Sequence, residues 1–449
     1  MVTLSVRLSD GGYIMPEIKQ PVTAIIVGAG HRSIFYSTYS LLHPEDLKIV
    51  GVADPDRDRC LQAQRMFGFS DDRIYASAQE LAAVPKFADA IINGTMDQMH
   101  VETSVPLLEL GYDMILEKPF ACNEAEMQVL SDVVNRKHNK VVIGHVLRYT
   151  PFYHGIKDRI DSGDIGEILT LQTTESVNYH HQSTGYVRGK WGNTENCNTT
   201  MLLAKCCHDI DIMMWLMPSD PLTVSSFGSC MQYKPENAPE NAGERCLVDC
   251  PLVDTCPYSA KKIYIDKPQR WESYVWADLG NAGNPTKEER VRLLTNDTQY
   301  GKCIYKCDNN VVDHQTVTVN FANGSIGTHN MIGGTAMPRR RIHVTGTRGE
   351  IFGDFEDEMF TVLKINPDSD TGYDREIVRL SEEETKLGHG GGDLKLVEDF
   401  IDFVRTGKCS IACTSLDDSI AGHLTVFLAD KSRDENGMPQ CINLSDYIK

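Results

Sequence analysis

The sequence predicts an α/β protein of two domains. Residues 21–147 should form a doubly wound parallel sheet, and residues 148–449 a second α/β domain with mostly antiparallel strands. "TAIIVGAG", "KIVGVAD", "AIINGT", "DMILEKP" and "KVVIGHV" are short apolar, β-branched runs without alternation, as strands covered on both faces should be. Amphipathic stretches between them imply βαβ crossovers. After "GHVLRYTP" the texture changes. "HQTVTVNFANGSIGTHNM" is longer and carries an Asn-Gly turn signal, which suits antiparallel pairing.

The elements follow in order. A tail of residues 1–20 precedes the first strand. Residues from about 226 to 310 read as an insertion, polar and holding six of the fourteen cysteines. "GGDLKLVEDFIDFVRTG" and "SLDDSIAGHLTVFLADKS" read as closing helices.

At 449 residues, 41% hydrophobic and 24% charged, the chain is a globular protein too long for one ordinary core. A formal charge of −19 argues against a nucleic-acid surface and against polybasic membrane attachment. No apolar run approaches the roughly 18 residues of a spanning helix. The N-terminus lacks a basic region followed by a long apolar core, so it is not a good signal peptide. Most cysteines, such as Cys60, Cys122 and Cys441, are scattered or in apolar contexts, which predicts a reducing cytoplasm.

"AIIVGAGHRS" is a strand entering a glycine turn and then a helix. Gly28 allows the turn, and Gly30 lets the backbone approach a pyrophosphate beside His31 and Arg32 at the helix start. Ser33 stands where a third Gly or Ala is usual. "KIVGVAD" ends a second strand at Asp54, twenty-four residues beyond Gly30. A carboxylate there can bind ribose hydroxyls and repel a 2′-phosphate, so NAD is expected over NADP, although Arg57 and Arg59 lie nearby. An ordinary glycine turn is the simpler explanation of the first motif taken alone.

"DMILEKPF" ends another strand at Glu117 and Lys118, and ligands bind beyond the carboxyl ends of such strands. A solvated charge pair would look the same. An ammonium beside a reacting hydroxyl would stabilise alkoxide charge as hydride leaves.

"EKPF", the preceding "AIINGTMDQMHVETSVPLLELGYDMILEKP", and the later "GHVLRYTPFYHGIKDRIDSGDIGEI", "RRRIHVTGTRGEIFGDF" and "GHGGGDLKLVEDFIDFV" resemble the Gfo/Idh/MocA family, the glucose-fructose oxidoreductase and inositol dehydrogenase relatives. The resemblance covers nearly the whole chain apart from the tail and the insertion. It implies a Rossmann domain followed by a domain with a large, mostly antiparallel sheet, and often an oligomer built on that sheet. It makes Lys118 catalytic and places Glu117, Thr95 and His100 near the cofactor. The expected activity is NAD-dependent hydride transfer to or from a secondary hydroxyl of a small carbohydrate or polyol. Redox-neutral glycoside cleavage and a non-catalytic nucleotide-binding regulator are the rivals.

"MLLAKCCHDIDIMMWLM", residues 201–217, reads as a helix. Leu202, Leu203, Cys206, Ile210, Met213 and Met217 share an apolar face, with Ala204, His208, Asp211 and Trp215 on another. The resemblance makes His208 the catalytic histidine, and imidazole can accept a hydroxyl proton near neutrality. Family members often carry aspartate where this chain has Ala204. A histidine merely hydrogen-bonded at a domain interface stays open. Adjacent Cys206 and Cys207 diverge by about 100° on a helix and cannot easily share an ion.

Arg148 and His314 are further expected substrate residues, while His389 and Asp393 in "GHGGGD" suit either a pocket or a helix cap. In the insertion, Cys246, Cys250, Cys256 and Cys303 could form a structural zinc site. Disulfides or buried thiols fit the spacing as well.

Overall fold

The five apolar runs become parallel strands, joined by one short strand that the sequence did not announce. They are β1 (Val22–Val27), β2 (Leu47–Ala53), β3 (Ile74–Tyr75), β4 (Ala90–Asn93), β5 (Asp113–Leu116) and β6 (Val141–Ile143). Their order is β3-β2-β1-β4-β5-β6, with every neighbouring pair parallel, as in the doubly wound dinucleotide fold. This is a computed structural model describing residues 20–269, 271–280, 285–296, 298–381 and 389–447, plus a strand pair, Val6–Arg7 with Tyr13–Ile14, in the tail. The rest of the tail lies outside the described residues.

Alternate side chains of β1 enter different cores, because Cβ atoms alternate across a strand. Ile25 and Val27 join one cluster with Leu107, Met127 and Leu130. Those come from α3 (His100–Glu109) and α4 (Glu124–Lys137). Ala24 and Ile26 join the other, with Tyr36 of α1 (His31–Ser37) and Cys60 and Ala63 of α2 (Arg57–Phe67). Leu396, Val397, Phe400 and Ile401 complete that second face. They belong to α7 (Gly392–Thr406), so a helix from near the chain's end covers the parallel sheet.

The second sheet has nine strands. These are β7 (Ile168–Asn178), β8 (Pro221–Ser229), β9 (His314–Phe321), β10 (Ile326–Thr335), β11 (Arg339–Gly346), β12 (Gly349–Asp354), β13 (Met359–Ile365), β14 (Tyr373–Arg379) and β15 (Gln440–Cys441). The order is β14-β13-β12-β11-β7-β10-β9-β8-β15. All pairs are antiparallel except β7–β10. The Asn-Gly signal is realised between β9 and β10, where Gly324 takes φ +87°. Three helices pack beside this sheet: α5 (Pro151–Asp161), α6 (Met201–Leu216) and α8 (Leu416–Asp434).

Helix α6 departs from the expected pattern. Thr200 caps it, its hydroxyl accepting from Leu203 N at 3.1 Å. Ala204, His208, Asp209 and Asp211 are as buried as the leucines, so it has no wet face. A helix enclosed by a sheet and by α8 must pair its polar groups internally.

The insertion occupies residues 230–313 and has a small core of its own, including Ile263, Tyr264, Val275, Trp276 and Leu294. Cys409 and Cys413 form a disulfide, and the other cysteines are free. The expected zinc tetrahedron is not supported. Zn–S bonds of about 2.3 Å place four sulfurs about 3.8 Å apart. Among the described residues, the groups with three or more ligand atoms within 4.8 Å of one another are Cys206–Asp209–His329 and His43–Glu45–Asp46. No three insertion thiols form such a group.

Candidate active site

The glycine turn is held from the next strand. Asp54 directly follows β2, and its carboxylate accepts from Ala29 N at 2.6 Å and from Asp56 N at 2.8 Å. Gly28 has φ +75°, and a Cβ there would meet Thr95 N at 2.8 Å. Only glycine fits that close approach. A Cβ on Gly30 would meet only Gly94 O, at 3.8 Å, so this side of the turn is open to a ligand. Ser33 is fully buried and donates to Gly28 O, tightening the turn as a smaller residue could not.

Thr95 and His100 are tied into the neighbouring loop. Thr95 donates to Asn93 Oδ1 at 2.9 Å. The His100 ring lies between Pro119 O at 2.7 Å and Thr95 O at 3.1 Å, bracing the "EKP" turn against the glycine loop. A neutral imidazole can donate to only one of those carbonyls.

Glu117 and Lys118 leave β5 at its carboxyl end. Glu117 Oε1 accepts from Arg32 Nε at 2.9 Å and from the Tyr36 hydroxyl at 2.6 Å. Arg32 also donates to Asp393 at 2.6 Å. Arg32 is therefore bound to two carboxylates rather than free for a phosphate, a correction to its expected cofactor role. His31 is exposed at the helix start. Burial opposes ionisation of Glu117, but the Arg32 and Lys118 charges prevail and hold its carboxyl below the usual range.

Lys118 Nζ donates to the Ala204 carbonyl at 2.8 Å, one turn before His208 on α6. Burial, then the Lys118 charge, pushes the His208 imidazole well below its usual value. Its Nδ1 is buried with no partner. His145, in the "GHV" after β6, stacks edge-on against His208 with centroids 5.5 Å apart, and both its ring nitrogens are unpartnered. Burial, then the Arg148 and Lys118 charges, keeps it neutral as well. His389 reaches His208 from α7's entrance at 6.3 Å, and its Nδ1 meets Asp393 at 3.1 Å. The sequence reading missed His145, and its only signal was a histidine just past the last parallel strand.

Two expected substrate residues are placed differently. Arg148 is buried and makes a bidentate pair with Asp211, at 2.6 and 2.8 Å. Its guanidinium holds α6 rather than a ligand. His314 sits at the root of the insertion, its Nδ1 2.8 Å from Asp313. The polar residues of α6 face the second sheet. Lys205 pairs with Glu175 at 2.9 Å. Arg340 pairs with Glu175 at 2.8 Å and with Asp209 at 3.1 Å. Burial lifts Asp209 to about 6 despite Arg340. Cys206, Asp209 and His329 sit close together there, but two cations already serve this network. A separate groove, lined by Gln172, Arg341, His343 and Phe352, lies on the open sheet face and contains none of the residues around Lys118.

The glycine cradle, the Asp54 carboxylate and Lys118 at the carboxyl ends of the parallel strands are the layout of a dinucleotide-binding Rossmann domain, and the family comparison makes the protein an oxidoreductase with an NAD-binding Rossmann fold. The chain belongs to the Gfo/Idh/MocA oxidoreductase family. Residues 22–145 match its NAD-binding Rossmann fold, and residues 157–417 its C-terminal alpha/beta domain. YteT of Bacillus subtilis, named as an oxidoreductase, is 22% identical over 78% of this chain and 81% of its own. The inositol 2-dehydrogenase of Leifsonia xyli is 27% identical over 55% of this chain, which spans 62% of that relative's length. A levoglucosan dehydrogenase in complex with NADH shares the fold at TM-score 0.66 and 16% identity, covering 94% of this chain and all of that one. The myo-inositol 2-dehydrogenase of Lactobacillus plantarum does so at TM-score 0.62 and 17% identity, with 94% of this chain and all of that one covered. Among the described residues no helix is long and apolar enough to cross a membrane.

Proposed function

We propose that the chain is an NAD-dependent dehydrogenase acting on a secondary hydroxyl of a sugar, cyclitol or glycoside. The observation that carries this is Lys118, an ammonium anchored on α6 at the carboxyl end of β5, beside a neutral buried histidine. When bound, the nicotinamide supplies the hydride acceptor. Lys118 holds the substrate oxygen and stabilises the charge that develops as its proton leaves. His208 takes that proton at a ring nitrogen. Glu117, ionised and clamped by Arg32 and Tyr36, would help hold the nicotinamide ribose. Asp54 supports NAD over NADP, since a carboxylate there repels a 2′-phosphate. The names of the relatives support a polyol or sugar substrate. Exposed Phe352 and Ile377 on the open sheet face support a homo-oligomer built on that face.

Ala204 favours one second reading. Without a carboxylate at that position, a sugar could be oxidised, lose its glycosidic substituent by elimination, and be reduced again with no net NADH. Incubating the protein with NAD⁺ and a panel of sugars, inositols and aryl glycosides separates the two. Net NADH supports the dehydrogenase, and aglycone release without NADH supports the second reading. NAD⁺ binding with neither signal overturns both in favour of a non-catalytic regulator.

A further inference from the structure

Cys246, Cys250, Cys256 and Cys303 line one small cavity in the insertion, with Leu252, Val253 and Ile304 completing its apolar wall. The chain brings them there deliberately. Cys246 and Cys303 are fifty-seven residues apart in sequence. They are set side by side by a two-residue ladder in which Cys246 N donates to Gly301 O at 3.0 Å and Cys303 N to Glu244 O at 2.8 Å. The segment between Cys250 and Cys256 turns back on itself, with Val253 N bonded to Cys250 O and Cys256 N to Leu252 O. All four thiols are free.

A second observation points to a negatively charged occupant. Arg188 is 1% exposed and lies against this cavity, Nη2 donating to Tyr258 O at 2.9 Å and to Cys246 Sγ at 3.6 Å. Its Nε donates to Lys302 O at 2.9 Å, and its Nη1 has no partner. Among the described residues no carboxylate pairs with it. An isolated buried cation is strongly unfavourable unless an opposite charge compensates it. Four neutral thiols supply no such charge, whereas four thiolates around a metal centre do. The spacing decides which centre. No three of the four sulfurs lie within 4.8 Å of one another, against about 3.8 Å around a single zinc ion, while a cluster offers its ligands separate iron corners.

We propose that Cys246, Cys250, Cys256 and Cys303 ligate an iron–sulfur cluster whose negative charge is balanced by Arg188. On binding, each thiol releases its proton to solvent and its thiolate takes one iron, with no change in electron count. Arg188 connects the cluster to the cofactor domain. Three residues beyond Arg188, Trp191 Nε1 donates to Asp97 at 2.9 Å, on the loop that follows Thr95. Its place is structural: it staples the insertion and, through Arg188, steadies the strap that touches this loop. The proposal does not depend on the substrate or on the dehydrogenase reading.

The test uses the full chain, purified without oxygen and reconstituted with equal parts of ferric and ferrous iron and with sulfide, so that the cluster's mixed-valent irons are supplied as such. Iron, acid-labile sulfide and zinc are then quantified alongside the visible absorption. About four irons and four sulfides per chain are expected, with a broad visible band bleached by dithionite. Cys256→Ser and Cys303→Ser should each remove at least half of the iron, and Cys441→Ser none. One zinc per chain without sulfide overturns the proposal, as does folded wild-type protein that takes up no cluster. Should the variants fail to fold, the wild-type iron and sulfide content alone decides the matter.

Discussion

The Lys118 ammonium is anchored on the backbone carbonyl of Ala204, at 2.8 Å. A main-chain carbonyl survives any side-chain replacement. Ala204→Gly should therefore leave kcat within a few-fold while costing about 1 kcal/mol of stability for glycine inside a helix. Lys118→Met should lower kcat by about 10²–10³-fold with NAD⁺ affinity retained. Steady-state kinetics and cofactor titration check both, and full activity in the Lys118 variant would remove that residue from the chemistry.

His208, His145 and His423 are all held well below the usual imidazole value, each by burial first. Because their folded values lie below the unfolded value of 6.5, the unfolded chain binds more protons. Stability is then full above about pH 6.5 and falls as pH drops below it, by about 1.4 kcal/mol per pH unit for each histidine. Denaturant unfolding from pH 7.5 to 5 reads this slope directly. A flat profile would mean that the rings are not buried as neutral groups.

Glu117 and Asp393 share Arg32. Arg32 holds the Glu117 carboxyl below its usual range, whereas Asp393 is held down first by His389 and then by Arg32. Their contribution is present above the unfolded carboxylate values and is lost as pH falls through the folded ones. Arg32→Met should cost about 3 kcal/mol, as expected for a buried network left with an unmatched carboxylate. Thermal melts at pH 7 test this, and an unchanged Tm would contradict it.

Asp211→Asn should leave Arg148 buried without its counter-charge and cost about 3–5 kcal/mol. The same change should hardly alter KM for a sugar substrate. A large rise in KM at unchanged stability would return Arg148 to the substrate.

Asp54→Ala should weaken NAD⁺ binding by about tenfold, the loss of roughly one charged hydrogen bond, and reduce discrimination against NADP⁺. Fluorescence titration with both cofactors measures it.

The parallel domain was legible because its signals are local. A strand buried on both faces must be continuously apolar, and a turn that passes 2.8 Å from Thr95 must be glycine. Lys118 was legible for the same reason, as a charge at the end of such a run. Helix α6 was misread as two-faced, because its partners Glu175, Arg148 and Arg340 come from distant segments. Arg32 and Arg148 were assigned to ligands on position alone, and only the packed structure showed the carboxylates that take them.

The sequence by itself determined the parallel strands, the glycine turn and the lysine placed at the end of the fifth apolar run, since each depends on neighbours within a few residues. Tertiary structure decided how the buried charges pair, how His145 meets His208, and which helix closes the parallel sheet. Those outcomes depend on desolvation, and a side chain's desolvation is set by whichever distant segment comes to cover it.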